Sequence, residues 1–129
     1  MTGKRDTEPR KVDDGANTPT AVARWDWDIL ADRVTWSDEL YRMYGLEPRE
    51  FRASYHAFIE RLHPNDRERV GLILGQALRD GQPFEFEHRV VRPDGIIRVL
   101  HAWGAVERAP DGRPLRMSGI TQDVTLPEP

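Results

Sequence analysis

Cysteine is absent from the 129 residues. That excludes a disulfide framework, thiol catalysis, Cys-ligated zinc, iron–sulfur clusters and flavin–cysteinyl photochemistry. Long apolar runs are absent too, and none approaches the ~20 residues of a membrane span. No charged-then-apolar signal peptide opens the sequence. Neither sign of charge dominates: Lys plus Arg number 19 and Asp plus Glu 22, a formal net charge of −3. A duplex DNA binder needs clustered Lys and Arg to neutralise phosphates, which this balance does not supply. The length suits one domain of ordinary size. Together these features predict a soluble, cytoplasmic protein with no direct nucleic-acid or membrane contact.

What is present is unevenly spread. Residues 1–20 hold eight charged residues, and their only apolar ones are Met1, Val12 and Ala16. Such a segment buries too little surface to offset its ordering entropy, so 1–20 is expected to be a disordered tail. All eleven aromatics lie between Trp25 and Trp103. The folded unit is expected over residues 21–126, with 127–129 as a short C-terminal tail.

Residues 23–29 alternate strictly, with Trp25, Trp27 and Ile29 on one face and Arg24, Asp26 and Asp28 on the other. Period two predicts a half-buried strand. Ala31-Asp32 forms a tight turn into a second short strand, Arg33-Val34-Thr35-Trp36. Ser37-Asp38-Glu39 predicts a helix start with Ser37 as cap, and Gly45 ends that helix. Pro48 opens a further short turn, and Ser54 caps another short helix with Phe58, Ile59 and Leu62 inward. Asn65 and Glu68 have capping-box spacing for a longer helix reaching about Asp80, with Gly81 as its stop. Val70, Ile73, Leu74, Ala77 and Leu78 form its apolar stripe. Gly71 and Gly75 either admit a close neighbour or are simply tolerated.

The rest is β. Phe84, Phe86, His88 and Val90 share one face of a strand from Pro83 to Arg92. Pro93-Asp94-Gly95 and Pro110-Asp111-Gly112 are turns around a long strand, Ile96 to Arg108, and Arg113 to Val124 is the last strand. The order predicts an α+β fold: a five-stranded antiparallel sheet with helices packed on one face, its first and fifth strands paired in the middle.

Seven segments in this order resemble a PAS domain of the subtype with a C-terminal PAC motif. They are Trp25-Asp26-Trp27-Asp28, Trp36 to Leu40, Tyr44-Gly45-Leu46, His63 to Arg67, Phe84 to Arg89, Arg92 to Gly95 and Gly119 to Thr125. The resemblance covers nearly all of 21–126. It implies a sensory or interaction module and not an enzyme. Such a module holds a small ligand, or none, between sheet and helices. It signals through a homodimer, a partner protein or an output domain, in two-component-type regulation among others. The Asp123-Val124-Thr125 triplet resembles the terminal relay motif, with Asp123 and Thr125 as its polar members. The chain departs from the family pattern at three positions. Asp32 stands where Gly is usual, His88 where Tyr is frequent, and Val99 where Trp is frequent. The last two are expected to line the cavity.

His88 is the leading candidate for chemistry. It either binds a ligand's polar group, senses pH or ligates haem, or it is a core histidine. Haem-binding relatives carry their ligand on the longest helix, and residues 66–80 contain no histidine. His63 is read as structural, and His56 and His101 as isolated; no metal site is expected. Trp25, Trp27, Trp36 and Trp103 form either an aromatic cage or plain core. The expected pocket wall is Trp25, Trp27, His88, Met117 and Thr121. The light-oxygen-voltage branch places a flavin-contacting glutamine at the position of Thr121, so a light sensor of that type is not expected. The pairs Asp26/Asp28, Asp38/Glu39 and Glu85/Glu87 are read as solvated surface rather than paired catalytic carboxylates. The competing functional reading is a small α+β cone enzyme, an isomerase or dehydratase, working through His88 with a perturbed pKa. The identity of any cofactor stays open.

Overall fold

A computed structural model describes residues 22–48 and 52–126. The expected tails, 1–20 and 127–129, lie outside the described residues. Five strands and three helices follow in the order β1 (Val22–Asp28), β2 (Arg33–Trp36), α1 (Asp38–Met43), α2 (Tyr55–Arg61), α3 (Pro64–Asp80), β3 (Phe84–Val91), β4 (Ile97–Arg108) and β5 (Pro114–Asp123). The strands form one sheet in the order β2-β1-β5-β4-β3, each neighbouring pair antiparallel. β5 enters between β1 and β4, as the pattern predicts.

Alternation decides which face is dry. Ala23, Trp36, Phe86, His88, Val90, Leu100, Ala102, Met117 and Thr121 are buried on the face turned to the helices. From the helical side Leu40, Tyr41, Tyr44, Leu62, Val70 and Leu74 close over it. Each fully buried Leu or Val contributes about 1.5–3 kcal/mol relative to leaving it in water.

One cross-sheet row fixes the packing. Trp36 pairs with Trp25, Trp25 with Gly119, Gly119 with Gly104, and Gly104 with Phe84. The two glycines leave a trough that the Trp25 indole fills until it stacks on Phe84, centroids 6.0 Å apart. A Cβ on Gly104 would lie 2.5 Å from Phe84 Cζ and 2.8 Å from Trp25. A Cβ on Gly119 would fall on the Trp103 carbonyl oxygen. Glycine here is a packing requirement rather than a turn device.

Helix ends differ in detail from the sequence reading. Ser37 does not cap α1 with its side chain; its Oγ accepts the Arg24 N–H at 3.0 Å and ties the helix start to β1. Ser54 does cap α2, accepting Ala57 N–H at 2.9 Å. α3 begins one residue before the expected capping box. Pro64 takes its first turn, and His63 is the cap, its Nδ1 accepting Asn65 N–H at 3.1 Å. Proline suits that position because its missing N–H would be unsatisfied there anyway. Gly81 ends α3 with φ 70°, and Asp32 takes φ 50° in the first hairpin. A Cβ on Gly71 would meet nothing within 4 Å, and one on Gly75 only Arg79, so neither glycine admits a close neighbour. Of the turn expected from Pro48, residues 49–51 lie outside the described residues.

The outer edge of β3 is sealed by the α2–α3 junction. Leu62 bridges Val90, and His63 N–H donates to Arg89 O at 2.8 Å. The Asp66 carboxylate accepts Arg89 N–H at 2.8 Å and the Arg89 guanidinium at 2.8 and 3.1 Å. The edge N–H and C=O of Arg89 are therefore occupied and closed to a foreign strand. The Arg89 hydrogen bonds hold the Asp66 carboxyl down at about 2.

Candidate functional site

A cavity of about 60 Å³ lies between the inner sheet face and the helices. The five residues expected in a pocket wall, Trp25, Trp27, His88, Met117 and Thr121, all line it. β1 supplies the tryptophans, β3 supplies His88, and β5 supplies Met117 and Thr121. Register brings them together: Trp27 pairs with Met117 across β1 and β5, and Ala23 with Thr121. The helical side adds Tyr44, Ser54, Tyr55, Phe58 and Leu74, which the sequence reading did not place there. Trp27 stacks on Tyr55, centroids 5.4 Å apart, while its indole N–H donates to Asp32 Oδ1 at 3.1 Å.

His88 is 2% exposed, with Phe86 and Phe58 rings at 5.1 and 5.8 Å. Neither Nδ1 nor Nε2 has a hydrogen-bond partner. Burial pushes its pKa down to about 4, outweighing the upward pull of Asp66; Arg69 and His101 lower it further. The ring is therefore neutral at physiological pH. No carboxylate touches it, so the acid–base pair that the isomerase or dehydratase reading needs is not formed. Burial also raises the Tyr44 phenol far above its ordinary value, keeping it protonated.

Two expectations are corrected. Trp103 is not part of the aromatic group at the cavity; only Trp25, Trp27 and Trp36 line it. Trp103 shares the outer sheet face with His101, the ring centroids 4.3 Å apart. Val99 also lies on that outer face, because it precedes the fully buried Leu100 and strand side chains alternate. The acidic pairs on strands lie on the outer face as expected, where Arg116 bridges Asp26 and Asp28 and His101 Nε2 lies 2.7 Å from Glu85. Among the described residues no group of three His, Asp or Glu has metal-holding geometry.

Asp123 and Thr125 form a latch at the end of β5. Asp123 receives the Arg98 guanidinium at 2.8 and 2.9 Å and Thr125 N–H at 2.9 Å. Thr125 Oγ1 accepts Val99 N–H at 2.8 Å, and Val124 N–H donates to Val99 O at 2.9 Å. The strand that floors the cavity is thus pinned to β4 where the chain leaves the sheet. Arg98 and Arg89, which hold the latch and the β3 edge, were not singled out from the sequence. The available signal was an arginine inside a strand, Arg98 between Ile97 and Val99 and Arg89 between His88 and Val90.

Ligand pockets for drug-sized molecules measure about 300–1,000 Å³. A haem or a flavin does not fit the packing around His88, and α3 carries no histidine to hold a haem. Among the described residues no helix is long and apolar enough to cross a membrane.

A five-stranded antiparallel sheet in this order, closed by short helices over a central cavity, defines a PAS-type module. The family described as the PAS fold matches residues 33–121, and the chain belongs to it. The chain is 30% identical over 103 residues to the sensor protein FixL of Bradyrhizobium diazoefficiens, a match spanning 80% of this chain and 20% of that protein. It is 26% identical over 117 residues to the probable diguanylate cyclase DgcE of Escherichia coli, spanning 85% of this chain and 10% of that one. A sensory box histidine kinase/response regulator from Burkholderia thailandensis superposes with a TM-score of 0.70 at 29% identity, over 81% of this chain and 77% of that one. The chain thus spans a fifth or less of the curated relatives it matches. It is a PAS sensory domain, homologous to parts of signal-transduction proteins.

Proposed function

We propose that residues 21–126 form a non-catalytic sensory unit that reads the state of the His88 cavity and passes it along β5. The signal leaves through a second copy of the chain, a partner protein or an output domain, in the cytoplasm and without direct nucleic-acid contact. One observation carries the reading: the cavity floor and the exit latch are built on the same strand. Met117 and Thr121 line the cavity, and Asp123 follows two residues after Thr121. A shift of β5 at the cavity therefore changes strain on the Arg98–Asp123 and Thr125–Val99 bonds. The wall residues Trp25, Trp27, His88, Met117 and Thr121 are the ones that sense; Asp123 and Thr125 relay. His88 without a carboxylate partner, on a wall that carries no Asp, Glu, Lys or Arg, supports a binding role over catalysis.

Light scattering combined with native mass spectrometry tests this. A dimer is expected, weakened or altered by Asp123→Asn and by Thr125→Val. A protein monomeric at every concentration, with both variants indistinguishable from wild type, contradicts it.

A further inference from the structure

The wall of the cavity is almost wholly carbon, and no Asp, Glu, Lys or Arg lines it. Its polar side chains are the hydroxyls of Tyr44, Ser54, Tyr55 and Thr121 and the His88 ring, and of these His88 has both ring nitrogens buried and unpartnered. A neutral imidazole carries one donor and one acceptor, and a protein partner ordinarily fixes which nitrogen is which. Nothing fixes it here, so the ring can offer either a donor or an acceptor to a guest.

A charged guest would shed its hydration and meet no opposite charge. Size narrows the choice further. A cavity of about 150 Å³ accommodates benzene, whereas this one measures about 60 Å³.

We propose that the cavity selects a compact, uncharged molecule of about three non-hydrogen atoms, such as a short alcohol, aldehyde or amide, held by one hydrogen bond to His88. This rests on the sensory reading above and names the ligand class of that same site. An alcohol donates its hydroxyl proton to the unprotonated ring nitrogen. An aldehyde or amide carbonyl accepts the ring N–H. The apolar remainder lies against Trp27, Phe58 and Met117.

Formamide and formate have the same shape and differ in charge. The full chain is titrated with each, and with ethanol, while the Met117 methyl and His88 ring nitrogen resonances are followed. Saturable shifts are expected with formamide and ethanol, and formate should bind at least about tenfold more weakly. His88→Leu should weaken formamide by about tenfold, while His88→Gln, which keeps a donor and an acceptor, retains it. Circular dichroism checks that both variants fold, and the formamide–formate comparison in wild type decides the matter if His88→Leu does not. Formate binding as tightly as formamide, equal formamide affinity in His88→Leu, or a Met117 signal unmoved by all three probes overturns the proposal. Light scattering on the same samples separates the two readings. A dimer whose Met117 signal ignores every probe overturns the ligand class alone, and a monomer overturns the dimer-based reading.

Discussion

Gly119→Ala tests the packing logic of the sheet at its most constrained point. The added methyl would fall on the Trp103 carbonyl oxygen, and Trp25 Cζ2 lies 2.7 Å from the same position. Carbon atoms sit comfortably about 3.5–4.0 Å from their neighbours. An indole can tilt, but a carbonyl inside a strand cannot move without separating β4 from β5. Overpacking alone costs about 1–3 kcal/mol. Loss of neighbouring ladder bonds adds about 0.5–1.5 kcal/mol each. The expected cost is therefore about 3–5 kcal/mol, a large share of the roughly 5–15 kcal/mol that holds a domain together. The nearest atoms to a Gly104→Ala methyl belong to the side chains of Phe84 and Trp25, and the change should cost about 1–3 kcal/mol. Shrinking Trp25 to Phe should recover part of the Gly104→Ala loss and little of the Gly119→Ala loss. Urea unfolding followed by far-UV circular dichroism measures wild type, the two glycine variants and each combined with Trp25→Phe. A Gly119→Ala protein within 0.5 kcal/mol of wild type (about the scatter of an ordinary surface substitution), or one more stable than Gly104→Ala, refutes the reasoning.

Other outcomes follow from the same contacts. Unfolded His88 titrates near 6.5 and folded His88 near 4, so its stabilising contribution is complete above pH 6.5 and is lost as pH falls towards 4. The loss amounts to about 3 kcal/mol, and in His88→Leu a pH series of urea midpoints should lack that slope. Asp66 acts in the next window: its contribution is present above 3.8 and fades as pH falls towards 2, worth about 2 kcal/mol. Asp66→Asn should remove that acid slope, cost about 1–2 kcal/mol at pH 7, and increase amide exchange along β3. Arg98→Ala should raise amide exchange at Val124 and Thr125 while global stability, from thermal melts, changes by less than about 1 kcal/mol.

Much of this molecule was legible in sequence because its strands are long and only one face is buried. The alternation of Phe84, Phe86, His88 and Val90 fixed the inner face of β3, and the parity of Trp25 and Trp27 did the same for β1. Those parities also brought Trp25, Trp27, His88, Met117 and Thr121 to one cavity. Four things were not legible. Cap identity turned on two residues of offset: Pro64 suits the first helical turn so well that His63, not Asn65, became the cap. The side of Val99 depended on counting from Leu100, which the likeness to a family pattern obscured. The Gly104–Gly119 trough required the register between β4 and β5, a long-range pairing that no local pattern encodes. Whether His88 has a partner depends on helices that arrive from the other side of the core.

The central claim is that cavity and chain exit are coupled through β5. Xenon enters small apolar cavities irrespective of hydrogen-bonding chemistry, so it perturbs this one without presupposing a ligand. Under xenon pressure, nuclear magnetic resonance can follow the Met117 methyl in the cavity and the Val99 and Thr125 amides in the latch. The account predicts that all three shift along one saturation curve, and that Thr125→Val uncouples the amides from the methyl. A Met117 response with Val99 and Thr125 unmoved would contradict it.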